Sequence, residues 1–214
     1  MTQPVNLTPM MQQYLEIKEK NPDSILFYRM GDFYEMFFDD AEVASKILGI
    51  TLTSRNNKSD AAKVPMCGIP YHASRTYIAK LVRSGHRIAI CEQTEDPAQA
   101  KGIVRREVIQ TISPGVVTDE QLLDDKSNNF VAALSRKQKP DSEIFGLGFL
   151  DLSTGKFLVG EFVNDSDNYD IIIDQLSRLT PAELLINVNN QSNLAPLLSI
   201  LEAILPISGD SGPS

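Results

Sequence analysis

Ile25-Leu26-Phe27-Tyr28-Arg29-Met30-Gly31-Asp32-Phe33-Tyr34-Glu35-Met36-Phe37-Phe38 is the stretch on which the reading of this chain turns. Two aromatic-rich runs flank Gly31-Asp32, a turn signal, and together they predict a tight β-hairpin. Side chains alternate along a strand, so Phe33 and Glu35 share one side while Tyr34 and Met36 take the other. A flat apolar ring and a carboxylate, two residues apart beside a turn, suit contact with a nucleic-acid duplex. The ring can wedge between stacked bases, and the carboxylate can accept a hydrogen bond from a base edge. The simpler alternative is a core strand, with Phe33 packed inward and Glu35 at a solvated end.

Outward from this hairpin the chain alternates helix and strand signals. Thr8 caps a helix whose first position is Pro9, with Met10, Tyr14 and Ile17 on one face, and Asn21-Pro22 ends it. Strands are predicted at about 25–30 and 33–38. Asp39 caps the next helix, which carries Val43 and Ile47 on one face and stops at Gly49. Ile50-Thr51-Leu52-Thr53 alternates as a strand, and 55–63 is a polar loop. Further strands fall at 64–69, 86–92 and 104–112, with a helix at about 73–84. Residues 1–113 therefore predict a mixed-sheet α/β domain.

A linker spans 114–125, where Thr118 and Gln121 make a capping box for one helical turn. A second domain, 126–207, shows strands at about 129–135, 144–152 and 156–163, a helix at 168–178, a strand at 183–188 and a helix at 193–204. Three meandering strands followed by helix, strand and helix is the order of an RNase H-like unit, here cut short. Residues 208–214 look like a frayed tail.

Composition sets limits. No apolar run approaches a membrane span, and the first residues lack both the basic start and the apolar core of a signal peptide. Two cysteines without an export signal indicate a reducing, cytoplasmic setting. Net charge is −8, unfavourable for a nucleic-acid binder taken as a whole. Its distribution is uneven: residues 1–112 carry +1 and residues 113–214 carry −9. Within 46–90 eight basic residues face a single acid, Asp60. Arg55, Lys58 and Lys63, in the polar loop beside the hairpin, are the candidate phosphate contacts. Solvated charge explains them equally well.

Leu26 to Phe37, Pro65-Met66-Cys67-Gly68-Ile69-Pro70-Tyr71-His72-Ala73, and Ile90-Cys91-Glu92-Gln93 stand out as long specific runs. Thr111-Ile112-Ser113-Pro114-Gly115-Val116-Val117-Thr118-Asp119-Glu120 and Thr180-Pro181-Ala182-Glu183-Leu184-Leu185 complete the set. Together they resemble the MutS family of bacterial DNA mismatch-repair proteins. Several matches in the right order are specific where any one would be weak. The resemblance runs from about Pro9 to the end of the chain and implies a mismatch-recognition domain followed by an RNase H-like connector domain. It implies that Phe33 inserts from the minor groove at a mispaired base and that Glu35 hydrogen-bonds that base. It also implies mismatched double-stranded DNA as the ligand, MutL as a partner of the connector, a homodimer, a nucleoid-associated bacterial setting, and an ATPase using ATP and magnesium in the full-length protein. No Gly-x-x-x-x-Gly-Lys-Ser/Thr occurs here, so the chain reads as a non-catalytic N-terminal fragment without cofactor.

Other constellations carry less. Cys67, His72, His86 and Cys91 invite zinc, but the Cys-x4-His and His-x4-Cys spacings match no zinc knuckle. Asp151, with Glu161 and Asp174, invites the two-metal site of an RNase H-like nuclease, yet Asp151-Leu152-Ser153-Thr154-Gly155 is more simply a hairpin turn. Gln12-Gln13-Tyr14-Leu15 faintly resembles a sliding-clamp-binding peptide, although Tyr14 fits the buried face of the first helix. A metal-dependent nuclease and a purely protein-binding module are the rival functions.

Overall fold

The computed structural model describes residues 8–55, 63–96, 100, 102–117, 128–164, 169–187, 191–201 and 207–210. The chain divides into two compact units, Met1–Ile112 and Ser113–Ser214. The first contains α1 (Pro9–Glu19), β1 (Ser24–Met30), β2 (Phe33–Phe37), α2 (Phe38–Leu48), β3 (Thr53–Arg55), β4 (Val64–Pro70), α3 (Ser74–Arg83), β5 (Arg87–Gln93) and β6 (Arg106–Ile112). Its six strands form one sheet in the order β3-β4-β2-β1-β5-β6. Only β1 and β5 run parallel; the other neighbours are antiparallel, giving the expected mixed sheet.

Local chemistry sets the first helix. Thr8 Oγ1 accepts a hydrogen bond from the Met11 amide at 3.4 Å, and Pro9 occupies a first-turn position where no amide donor is needed. Tyr14 is buried, edge-on to Tyr28 and Phe37 with ring centroids 5.5 Å and 5.0 Å away. Such pairs add about 0.5–1.5 kcal/mol beyond the area they bury. Tyr14 is thus core, and unavailable as the anchor of a clamp-binding peptide.

Two local expectations are corrected. Asp39 does not cap α2; the helix starts two residues earlier than that cap would set it, at Phe38, and Phe37 at its cap makes no side-chain bond. Asp39 and Asp40 instead occupy the first turn, where carboxylates oppose the positive end of the helix dipole. Asp40 turns inward and accepts from Tyr14 Oη at 3.0 Å, Lys18 Nζ at 2.9 Å and the Leu26 amide at 3.0 Å, tying α1, β1 and α2 together. The strand expected at 50–53 lies at Thr53–Arg55, because only there does β4 run alongside, from Thr53 opposite Met66 to Arg55 opposite Val64. Leu52, outside that pairing, is left exposed.

The pleat gives the sheet two faces. Leu26, Tyr28, Phe37, Ala89 and Cys91 pack with Met11 and Tyr14 of α1 on one face. Cys67, which pairs with Met36, sits 3.5 Å from the Ala41 carbonyl oxygen, so α2 covers the other. By alternation from Phe37, both Glu35 and Phe33 lie on the α1 face.

The second unit contains β7 (Phe130–Gln138), β8 (Glu143–Asp151), β9 (Lys156–Asn164), α4 (Asp170–Leu179), β10 (Glu183–Asn187), α5 (Gln191–Leu201) and β11 (Ile207–Asp210). The sheet order is β11-β10-β7-β8-β9. An antiparallel meander, β7 to β9, is extended by β10 parallel to β7, the element order expected of an RNase H-like unit. Phe130, Leu134, Phe145, Leu147 and Phe149 form the core with Ile172 and Leu176 of α4 and Leu194, Leu197 and Leu201 of α5. The expected frayed tail begins differently: 207–210 pair with β10 in parallel, Leu184 opposite Ile207 through Asn187 opposite Asp210. The open edge of β10 supplies the backbone partners that hold this stretch extended. The helical turn expected near Thr118–Gln121 and residues 211–214 lie outside the described residues. No helix among the described residues is long and apolar enough to cross a membrane.

Candidate nucleic-acid interface

The hairpin forms as its sequence demands. Met30 pairs with Phe33 across a two-residue loop, and Gly31 takes φ +56, a left-handed conformation that costs a side-chain-bearing residue far more than glycine. Phe33 is 47% exposed, whereas Tyr34, Met36 and Phe37 of the same strand are buried. The core-strand alternative for Phe33 therefore fails. Across the ladder Phe33 faces Pro70 and Glu35 faces Gly68. A Cβ at Gly68 would touch Glu35 Cγ at 3.7 Å, so the bare glycine leaves the strip beside the carboxylate open.

Glu35 is half-buried and does not stand alone. Arg55 Nη1, at the end of β3, lies 3.1 Å from Glu35 Oε2. Burial pushes the Glu35 carboxyl above its usual range, with Arg55 and the more distant Arg106 pulling the other way. Arg106 is itself buried, and its guanidinium donates to the carbonyls of Arg29 at 2.7 Å and Val104 at 2.8 Å while lying over the Tyr28 ring, 4.8 Å from its centroid. The free end of the α1 face thus carries an exposed ring, a carboxylate whose charged form is disfavoured, and one guanidinium within its reach.

The other sequence-derived candidates divide. Arg55, expected as a phosphate contact, is engaged by Glu35, although its side chain stays 39% exposed. Lys63 is exposed just before β4, and Lys58 lies outside the described residues. The basic stretch 46–90 is not one surface. Lys46 and Lys80 ride exposed on α2 and α3, and α2 covers the sheet face opposite Phe33.

Arg29, Tyr71 and Glu92, which the sequence presents only as members of the quoted runs, come together beside the hairpin. The pairing of Arg29 with Tyr34 follows from the hairpin register and was there to be found. The approach of Tyr71 and Glu92 depends on β4 and β5 flanking the hairpin, which no local signal reveals.

The remaining constellations do not assemble. Among the described residues no group of three or more His, Cys, Asp or Glu side chains lies close enough to hold a metal ion. Cys67 and Cys91 are buried, which pushes their thiols up to about 11 and about 12. Asp151 is fully buried, and its oxygens accept from the Ser153 and Thr154 amides, the Ser153 hydroxyl and the Asn129 amide. It closes a turn.

The family model for MutS domain I matches residues 8–121, and that for MutS domain II matches 129–205. The chain is 50% identical over 200 residues to a DNA mismatch repair protein MutS from Pelotomaculum thermopropionicum, covering 94% of this chain and 22% of that protein. A protein of the same name from Syntrophobacter fumaroxidans is 50% identical over 206 residues, covering 95% and 22%. Another from Acetivibrio thermocellus is 47% identical over 182 residues, covering 85% and 20%. This chain therefore spans about a fifth of the length of these relatives. Two family models in sequence order, together with half-identity across nearly all of its length, make the chain a member of the MutS family.

Proposed function

We propose that the first unit recognises mispaired bases in double-stranded DNA, with Phe33 as the wedge and Glu35 as the hydrogen-bonding group. The observation that carries this reading is the 47% exposure of Phe33 beside a half-buried carboxylate on the same strand face. Wedging a ring between base steps costs a few kcal/mol of unstacking, and that cost falls where pairing is already lost. Mismatched duplex is also more easily kinked, so deformability itself is read as energy. Phosphates repel Glu35, which therefore gains little from intact duplex. A displaced base offering an N–H gives it a charge-assisted hydrogen bond.

Equilibrium binding of the whole protein to matched and mismatched duplexes at one salt concentration tests this. Phe33→Ala removes the preference and weakens mismatch binding by about 2–4 kcal/mol. Glu35→Ala leaves matched affinity unchanged or higher and shrinks the ratio. An unchanged ratio in Phe33→Ala overturns the wedge, and equal weakening of both duplexes by Glu35→Ala makes the carboxylate merely structural.

The second unit fits protein binding better than DNA binding. Its −9 balance repels phosphate, and Phe157, Val159 and Val163 are exposed along one side of the edge strand β9. We assign it to docking MutL, with binding weakened by salt. Calorimetric titration of the folded chain with MutL that gives no heat at either low or high salt removes this assignment. The ATP and magnesium of the longer relatives' family find no P-loop in this sequence, and they belong with dimerisation among the proposed properties of the whole protein.

A further inference from the structure

The face of the hairpin turned away from Phe33 carries an arrangement that the mismatch reading leaves unexplained. Arg29 sits over the Tyr71 ring, its guanidinium carbon 3.6 Å from that centroid and 5.7 Å from the centroid of Tyr34. Its Nε donates to the Gly31 carbonyl at 2.5 Å, reaching the turn itself. Its Nη1 donates to Glu92 Oε1 at 3.4 Å, and the Tyr34 hydroxyl donates to that same oxygen. Burial and the Glu92 carboxylate push the Tyr34 phenol up to about 12, so it remains a donor at neutral pH. A backbone bond from the Tyr71 amide to the Asp32 carbonyl at 2.9 Å completes the set. Both residues of the two-residue loop are thus tied by their carbonyls, Gly31 to Arg29 and Asp32 to Tyr71.

These ties come from three different strands or their ends. Arg29 belongs to β1, Tyr71 follows β4, and Glu92 belongs to β5. An isolated two-stranded hairpin is marginally stable and its tip frays. A guanidinium over the face of an aromatic ring is held more strongly when it is partly desolvated, and the Arg29 side chain is only 17% exposed. Tyr71 remains 41% exposed, and its ring contacts are the Arg29 guanidinium and the edge-on His72 ring 5.9 Å away.

We propose that Arg29, Tyr71 and Glu92 are positioning residues that lock the hairpin tip so that Phe33 meets a base step as a rigid wedge. This rests on the mismatch reading above. A wedge on a yielding turn would be displaced by stacked bases rather than parting them, and ordering the turn before binding spares that cost at the moment of insertion. The lock acts on mismatch binding through Phe33, while binding of intact duplex, where no ring is inserted, does not depend on it.

The experiment is a double-mutant cycle in the whole protein, with matched and mismatched duplexes at one fixed salt concentration. Tyr71→Ala lowers the mismatch-to-match ratio about tenfold, and matched affinity stays within about twofold. Tyr71→Phe, which keeps the ring over Arg29, restores the ratio. In the Phe33→Ala background Tyr71→Ala has no further effect, because the residue it positions is gone. Arg29→Gln behaves as Tyr71→Ala does. An unchanged ratio in Tyr71→Ala overturns the lock, and so does an effect that adds fully to Phe33→Ala, since that marks direct DNA contact or general destabilisation. If Phe33→Ala alone leaves the ratio intact, the mismatch reading itself has failed, which is a different result.

Discussion

Two hairpins in this chain carry an aromatic residue and a carboxylate, and the structure uses them oppositely. In the β1–β2 hairpin Phe33 is exposed and Glu35 is half-buried, held by Arg55 from another strand. In the β8–β9 hairpin Phe157 is even more exposed, at 65%, while Asp151 is fully buried and bonded by its own turn and by the Asn129 amide. An exposed ring therefore does not mark a DNA-reading site by itself. What separates the two is the carboxylate: the amides and hydroxyl of its own turn and the Asn129 amide occupy the acceptors of Asp151, whereas a single partly exposed guanidinium engages Glu35. The pKa directions agree. Burial raises Glu35, whereas for Asp151 the hydrogen bonds from Ser153 and Thr154 outweigh burial and lower it.

The largest expected effect sharpens that contrast. Asp151→Ala strips the acceptor from four donors and should destabilise the chain by about 2–3 kcal/mol in urea unfolding, with no change in DNA discrimination by the whole protein. Glu35→Ala should cost under about 1 kcal/mol, since its partner is substantially exposed, while it changes discrimination. If the two variants exchange these phenotypes, the division between a structural and a functional carboxylate is wrong.

Gly31→Ala comes next. At φ +56 the added Cβ strains the backbone although nothing lies within 4 Å of it, so the cost is conformational, about 1 kcal/mol. Amide hydrogen exchange around the tip should quicken in this variant before global stability falls noticeably. Unaltered exchange at Asp32 and Phe33 would show that the turn does not need a left-handed residue.

The smallest effects are pH linkages of opposite sign. Asp151, lowered in the folded state, contributes stability that is full above its ordinary value of 3.8 and is lost as pH falls through its folded value. Glu35, raised in the folded state, imposes a cost that is absent below its ordinary value of 4.5 and full above its folded value. Urea unfolding between about pH 3 and about pH 7 should show Glu35→Gln gaining on the parent as pH rises, and Asp151→Asn falling behind it. Parallel curves for Glu35→Gln and the parent would mean that Glu35 titrates normally.

Charge at Glu35 also bears on binding. Arg55→Ala removes its nearest cation and should raise the Glu35 pKa further, measurable by NMR titration of the side-chain carboxyl. The salt dependence of duplex binding should flatten only if Arg55 also leaves Glu35 for a phosphate. An unchanged slope confines Arg55 to its partnership with Glu35.

Local chemistry made most of the elements readable in advance. Thr8 and Pro9 begin α1, Gly49 with φ +68 ends α2, and Gly31-Asp32 makes the turn, because caps and left-handed glycines act through neighbouring backbone alone. The same holds for Phe33 and Glu35 on one side of β2, since alternation is a property of the strand itself. Errors arose where an element's position depends on a neighbour. The strand expected at 50–53 shifted to the residues that β4 can pair, and 207–210 became a strand because the edge of β10 was open. Asp39 lost the cap role because Asp40 was drawn to Tyr14, Lys18 and Leu26.

Sequence alone therefore determined the hairpin, the side of it that carries the ring and carboxylate, the mixed α/β class and the family. Those depend on turn chemistry, on a period of two and on residue identity in order. Only tertiary structure decided that Phe33 stays out of the core, that Glu35 holds Arg55, and that Arg29, Tyr71 and Glu92 meet behind the turn. Those contacts join residues from 20 to 63 positions apart. The order β3-β4-β2-β1-β5-β6, which no local propensity encodes, is what brings them within reach.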